Sequence, residues 1–130
     1  MSQLVLRNPT TDNVVELSRL EDLRDQIDEL DDEIVKSLAE RMAVARTIGQ
    51  YKNRNNITIL QPERWEEIIR TRTANGESQQ LTKDFILKLY GIIHEESIHQ
   101  QTLQMNKENK ESNENISKTQ IGRASCRERV

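Results

Sequence analysis

Two basic residues, Arg41 and Lys52, lie eleven positions apart in a stretch of helical periodicity. At about 100° per residue this spacing is close to three full turns, so both side chains point to the same side, about 16 Å apart along the axis. Two long cationic side chains placed in this way can grip a small anionic molecule from both ends. Taken singly, each would more often be an ordinary surface residue paired with one of the 22 acidic residues.

Four further polar residues could join such a site. Ser97 and Gln101 are four positions apart and therefore share one face of a helix, and Arg64 falls in the first turn of a predicted second helix. Arg24 precedes Arg41 by seventeen residues, which places it about 25 Å away along the axis and about 100° round it. It cannot reach a ligand that Arg41 holds, so it joins the site only if a second, antiparallel subunit supplies it.

One long segment of helical periodicity carries the basic residues of the first half of the chain. Ser18 and Glu21 fit a capping box at its start, and apolar residues then recur at steps of three and four. We expect a helix over about 19–53. At ~1.5 Å per residue it is roughly 50 Å long, more than the small core of this chain can cover, so another copy or another protein must cover it.

Two shorter helices follow. The second is expected over about 62–74, with a proline at its first position and Asn75-Gly76 as its stop. Thr82 caps the third, which is expected to end near Leu103. The predicted fold is therefore all-α, with one long, one short and one medium helix.

The composition excludes several classes of protein. Hydrophobic residues make up 34% and aromatic residues 3%, which argues against a β-sandwich or barrel and for a core shared with a partner or a solvated tail. We find no apolar run of about 18 residues and no signal peptide, so we expect a cytoplasmic protein without a membrane span. The net charge of −3 argues against nucleic-acid binding, and the single Cys126 excludes a disulfide framework and a cysteine-based zinc site.

Five short stretches together resemble the all-helical, or type II, chorismate mutases. They are Leu23–Asp31, Leu38–Arg41, Ile48–Lys52, Pro62–Arg64 and Ile93–Gln101. The resemblance extends over about residues 20–103, and its specificity lies in the joint spacing. It implies an intertwined helical homodimer that rearranges chorismate to prephenate by a Claisen rearrangement, on the way to phenylalanine and tyrosine. It implies no metal and no cofactor, and His94 and His99 are expected to be packing and surface residues.

The resemblance also implies roles for individual residues. Arg24 from one subunit, with Arg41 and Arg64 from the other, would clamp the two carboxylates of the substrate. Lys52 and Gln101 would donate to its ether oxygen. The expected catalytic residues are therefore Lys52, Gln101 and Arg41.

Ser97 would contact a carboxylate near the third helix. Many members of the family bind the ring hydroxyl with an Asp where Gln61 stands here and a Glu where Trp65 stands. Gln61 can still contact a hydroxyl, whereas an indole only donates, so Trp65 is expected to be a core residue instead.

The resemblance leaves two other functions open. An isochorismate pyruvate lyase of the same fold uses similar basic residues. A non-catalytic regulatory or dimerisation domain of a fused shikimate-pathway synthase is the second alternative. The stretch Leu4–Asn13 resembles the junction after a DAHP synthase in bifunctional proteins that end in a mutase domain, so this chain could be the C-terminal part of such a fusion.

The expected domain organisation has four parts. Residues 1–19 form a connector and residues 20–105 the chorismate mutase-like helical domain. Residues 106–120 are polar and nearly free of apolar side chains, so we expect a disordered tail. Residues 121–130 resemble the translation of a sequencing adapter and are expected to be non-native.

Overall fold

The computed structural model describes residues 9–119, and the side chains of residues 14–115. Three helices follow one another: α1 (Pro9–Arg54), α2 (Pro62–Ser78) and α3 (Lys83–Thr119). Residues 9–119 contain no strand, so the prediction of an all-α chain with three helices is confirmed. The adapter-like segment 121–130 lies outside the described residues.

The first helix begins ten residues earlier than the sequence predicted. It starts at Pro9 and runs for 46 residues, so Ser18 lies inside the helix instead of capping it, and most of the predicted connector 1–19 is helical. Proline suits the first turn of a helix because a backbone N–H at that position would find no acceptor within the helix, so its absence costs nothing. No further Pro or Gly occurs before Gly49 to end the helix.

The second helix runs past its predicted stop at Asn75-Gly76. It ends at Ser78, and the positive φ of 66° at Gln80 marks the turn that follows. Gly76 is buried inside the helix, and a Cβ on it would lie 2.6 Å from the Cγ1 of Ile86. This glycine therefore allows α2 to approach α3 closely.

The third helix has the predicted cap, since the Phe85 amide donates to the Thr82 Oγ1 at 3.3 Å. It continues to Thr119 instead of ending near Leu103, through a segment for which the composition predicted disorder. No Pro or Gly interrupts this segment, and its Glu and Lys residues have good helix propensity. Polar contacts also link it to α1: Asn53 donates to Glu108 at 3.3 Å and to Asn109 at 3.1 Å.

The chain divides into two units, residues 1–40 and residues 41–130. The described part of the first unit is helical, and none of its described side chains is buried. Apart from the half-buried Leu38, its large apolar residues are between 40% and 65% exposed. The exposed set includes Leu20, Leu23, Ile27, Leu30 and Ile34.

The second unit holds the core and the candidate site. The buried apolar side chains are Ala45 on α1, Ile68 on α2, and Ile86 and Ile93 on α3. No helix within residues 9–119 is long and apolar enough to cross a membrane.

Gly49 allows α1 and α3 to approach closely beside Gln101, one of the predicted site residues. A Cβ at this position would lie 2.9 Å from the Cα and 3.1 Å from the carbonyl oxygen of Gln101. Since both atoms belong to the backbone, no side-chain rotation relieves the clash. We expect Gly49→Ala to lower the free energy of unfolding by about 1–3 kcal/mol and to lower activity by displacing Gln101.

Gly91→Ala is the matched control, because Gly91 is also helical and a Cβ on it would meet no atom within 4 Å. We expect this change to raise stability by about 0.5–1 kcal/mol, the ordinary advantage of alanine inside a helix. Urea unfolding monitored by circular dichroism measures both effects. Equal stabilities for the two variants would show that the contact at Gly49 is not tight.

Candidate functional site

A pocket of about 370 Å³ lies in the second unit, walled by α1, α2, α3 and the loop between α1 and α2. Six of the seven predicted site residues line it: Arg41, Lys52, Gln61, Arg64, Ser97 and Gln101. The remaining wall residues are Val44, Ala45, Ile48, Ile59, Ile68, Arg72, His94 and Ile98. The wall thus has four cationic side chains and no acidic residue.

Arg41 and Ser97 join α1 to α3 at one side of the pocket. The Nη1 of Arg41 donates to the Ser97 Oγ at 2.6 Å, and Ser97 is buried. Burial lowers the pKa of the Arg41 guanidinium; Tyr90 opposes this effect, and Arg72 and Arg64 add to it. An arginine stays protonated at neutral pH in any case, so this side of the pocket presents a fixed positive charge.

Lys52 and Gln101 form the second polar pair. The Nζ of Lys52 donates to the backbone oxygen of Ile59 at 2.7 Å and to the Oε1 of Gln101 at 3.0 Å. An ammonium has three donors, so one N–H of Lys52 is left for a ligand. Because the Oε1 of the buried Gln101 accepts from Lys52, its Nε2 is the atom free to donate. The pair can therefore direct two donors at one oxygen.

Lys52 gives the site a predicted pH dependence. Burial lowers the pKa of its ammonium below the ordinary value of 10.5. Only the protonated form carries charge and three donors, so activity that needs it is lost as the pH rises, earlier than for an exposed lysine. Gln101 donates at any pH, and burial, Arg41 and Lys52 lower the pKa of His94. We expect kcat/KM to stay flat from mildly acidic to neutral pH and to fall on the alkaline side.

A pH–rate profile with substrate well below KM measures this dependence. Gln101→Glu is the informative variant, because a glutamate must be protonated to donate, so its activity should rise as the pH falls. A wild-type profile that requires a protonated group at about pH 5 would contradict the assignment of Gln101 as the donor.

Arg64 and Gln61 lie at the mouth of the pocket. Arg64 is exposed and pairs with Glu67, one turn along α2. Gln61 is also exposed, and its Nε2 donates to the Thr58 oxygen at 2.9 Å. Both side chains can turn towards a ligand at little cost, since their present contacts are local.

Trp65 and His94 form a stacked pair, with ring centroids 4.1 Å apart and planes inclined by 23°. Trp65 is half-buried against His94 instead of lying in the core as predicted, and His94 lines the pocket. The expectation that His94 serves only packing is therefore incomplete. The lowered pKa keeps its imidazole neutral at neutral pH, in a form that can both donate and accept a hydrogen bond.

Arg72 and His94 are the polar pocket residues that the sequence interpretation missed. Arg72 had a usable signal, because Arg64, Ile68 and Arg72 are spaced by four and lie on one helical face. His94 had one too, because it precedes Ser97 by three residues and Gln101 by seven and therefore lies on the same face of the helix.

Arg24, the seventh predicted site residue, belongs to the first unit. Its side chain is exposed and lies 3.6 Å from the Glu21 carboxylate, and it is not part of the pocket wall. Among the described residues, no group of three or more His, Cys, Asp or Glu side chains could hold a metal ion.

The sequence profile of the family "Chorismate mutase type II" matches residues 23–102. A chorismate mutase of Methanocaldococcus jannaschii is 28% identical over 90 residues, which cover 68% of this chain and 91% of that protein. A 4-amino-4-deoxychorismate mutase of Streptomyces venezuelae is 27% identical over 96 residues, 73% of this chain and 92% of that protein.

A bifunctional chorismate mutase/prephenate dehydratase of Buchnera aphidicola is 36% identical over 75 residues. The match covers 58% of this chain and 20% of that protein. The chain therefore matches about a fifth of the length of this bifunctional relative.

Proposed function

The chain belongs to the type II chorismate mutase family, and we propose that it catalyses the rearrangement of chorismate to prephenate. The observation that carries this proposal is the convergence of Arg41, Lys52, Ser97 and Gln101 on one pocket. Chorismate carries two carboxylates, and a pocket lined by four cationic side chains and no acidic one is electrostatically complementary to such a dianion. The rearrangement moves electrons within one molecule, so side chains that only position the substrate and donate hydrogen bonds suffice for it.

The proposed mechanism divides the work between the two polar pairs. Arg41 and Ser97 bind a carboxylate, because a guanidinium can hold it through two parallel hydrogen bonds while the hydroxyl fixes the arginine. This binding holds the substrate folded for reaction and removes part of the entropic barrier. As the ether C–O bond lengthens, Lys52 and Gln101 donate to the oxygen on which negative charge develops. They thereby stabilise the transition state more than the ground state.

We propose that the functional unit is a homodimer in which Arg24 of the partner subunit completes each site. Two observations support this proposal. The apolar side chains of the first unit are exposed, although such a stripe along a helix needs cover. Among the residues that the structure describes, the guanidinium of Arg24 contacts only the exposed carboxylate of Glu21. Arg64 would then bind the second carboxylate together with Arg24.

Gln61 is the proposed contact for the ring hydroxyl of chorismate. Its Oε1 can accept from that hydroxyl while its Nε2 keeps the bond to Thr58. Trp65 cannot accept, since an indole only donates. A substrate with an ammonium group in place of the hydroxyl is disfavoured, because the wall offers no carboxylate to pair with it.

Substrate and product analysis tests this function against its alternatives. The protein is incubated separately with chorismate, isochorismate and 4-amino-4-deoxychorismate. We expect prephenate from chorismate at a kcat/KM well above that for either other compound. Release of pyruvate from isochorismate as the faster reaction would favour the lyase. A folded dimer that turns over none of the three compounds would favour the non-catalytic regulatory or dimerisation domain.

We further propose a fused or upstream partner and a cellular location for this chain. The bifunctional Buchnera protein is named for a mutase and a dehydratase, while the resemblance of Leu4–Asn13 to a junction favours a DAHP synthase as the fused or upstream partner here. Reading the source DNA upstream of this sequence for a synthase reading frame tests that proposal. We also propose a cytoplasmic location, which fractionation of the source cells tests.

A further inference from the structure

Arg72 is a cation of the pocket wall to which the proposed mechanism assigns no role. It lies on α2, eight residues beyond Arg64, and is half-buried. Its Nη1 donates to the Thr71 Oγ1 at 2.9 Å, which occupies one of the five donors of a guanidinium. Among the described residues, no carboxylate forms an ion pair with it.

Arg72 and Arg41 both line the pocket, and their like charges repel. Arg72 is one of the neighbours that lower the pKa of Arg41, and both residues line the same wall. Within the described part of the chain, each guanidinium donates to a neutral partner, Arg72 to Thr71 and Arg41 to Ser97. Two partly desolvated like charges without a counter-charge are unfavourable until an anion joins them.

We propose that Arg72 binds substrate, holding one carboxylate jointly with Arg41. This inference rests on the proposed function, because it takes the dicarboxylate chorismate as the ligand. Arg72 supplies a second guanidinium, from α2, to the carboxylate that Arg41 contacts from α1. Arg72 therefore acts in binding, whereas Lys52 and Gln101 act in the chemical step.

Steady-state kinetics of Arg72→Gln test the proposal. A charge-assisted hydrogen bond to substrate is lost, so we expect KM to rise by about 10- to 100-fold with a smaller change in kcat. Arg72→Lys keeps the charge and should recover part of the affinity. Arg70→Gln is the matched control, since Arg70 lies on the same helix, is exposed and is absent from the pocket wall; its KM should equal the wild-type value.

Calorimetric titration with prephenate, which also carries both carboxylates, gives a readout that does not depend on turnover. Weaker binding to Arg72→Gln at an unchanged thermal midpoint supports the proposal. Equal KM and equal prephenate affinity in the variant and an active wild type would overturn it.

The same titration separates this inference from the proposed function. A wild type that forms no prephenate contradicts the function. Titration with chorismate then tests Arg72 alone: weaker binding to the variant supports the assignment, and equal binding overturns it.

Discussion

Replacing Lys52 by alanine is expected to lower kcat by at least about 10²-fold, equivalent to about 3 kcal/mol of transition-state stabilisation. The change removes the one N–H of Lys52 that its contacts to Ile59 and Gln101 leave free. It also releases the Gln101 amide from its present orientation. Because negative charge develops on the ether oxygen only during reaction, we expect KM to change much less than kcat.

One further variant separates the ammonium of Lys52 from its bulk, and a second serves as the control. Lys52→Met keeps the length of the side chain and removes the charge, so it should lose as much activity as Lys52→Ala. Lys88→Ala removes an exposed lysine of α3 outside the pocket wall and should retain wild-type kinetics. Near-wild-type turnover by Lys52→Ala, in a protein with an unchanged circular dichroism spectrum, would refute the role of Lys52.

The second large effect concerns Arg24 and the proposed dimer. We expect Arg24→Ala and Arg41→Ala each to lose nearly all activity, because each removes a guanidinium from both sites. Mixing the two variants should restore activity. In a mixed dimer, one site receives both altered residues and the other receives the intact Arg24 and Arg41. Random exchange of subunits then predicts about a quarter of the wild-type activity.

The two variants are unfolded together, refolded together and assayed, with each variant refolded alone as the control. Recovery that appears only in the mixture supports a site shared between subunits. A mixture no more active than its components would contradict it, as would an Arg24→Ala protein with full activity. Sedimentation equilibrium on the same samples shows whether the variants form dimers at all.

The sequence predicted those parts of the site that lie within single helices. Arg41 and Lys52 lie on one side of α1 because their spacing is close to three turns, and Ser97 and Gln101 share a face of α3 for the same kind of reason. Which faces of α1 and α3 meet depends on close backbone contact at Gly49, which periodicity does not reveal.

Other features lay beyond what local patterns could predict. The predicted helix ends near residues 19, 74 and 103 were wrong, since α1 begins at Pro9, α2 ends at Ser78 and α3 continues to Thr119. A local pattern does not show where contacts between helices carry a helix past its predicted end. Asn53, for example, contacts Glu108 and thereby supports the extension of α3. The role of Arg24 stays a prediction, since it depends on a second subunit.

The most direct test of the central claim follows chorismate and prephenate together by proton NMR after addition of the protein. The proposed mechanism predicts that chorismate disappears as prephenate appears in equal amount, with no other product and no added cofactor. Arg41→Ala, folded to the same extent, should slow both changes together. Loss of chorismate without prephenate, or no conversion by the folded wild type, would contradict the assignment of this pocket as a chorismate mutase site.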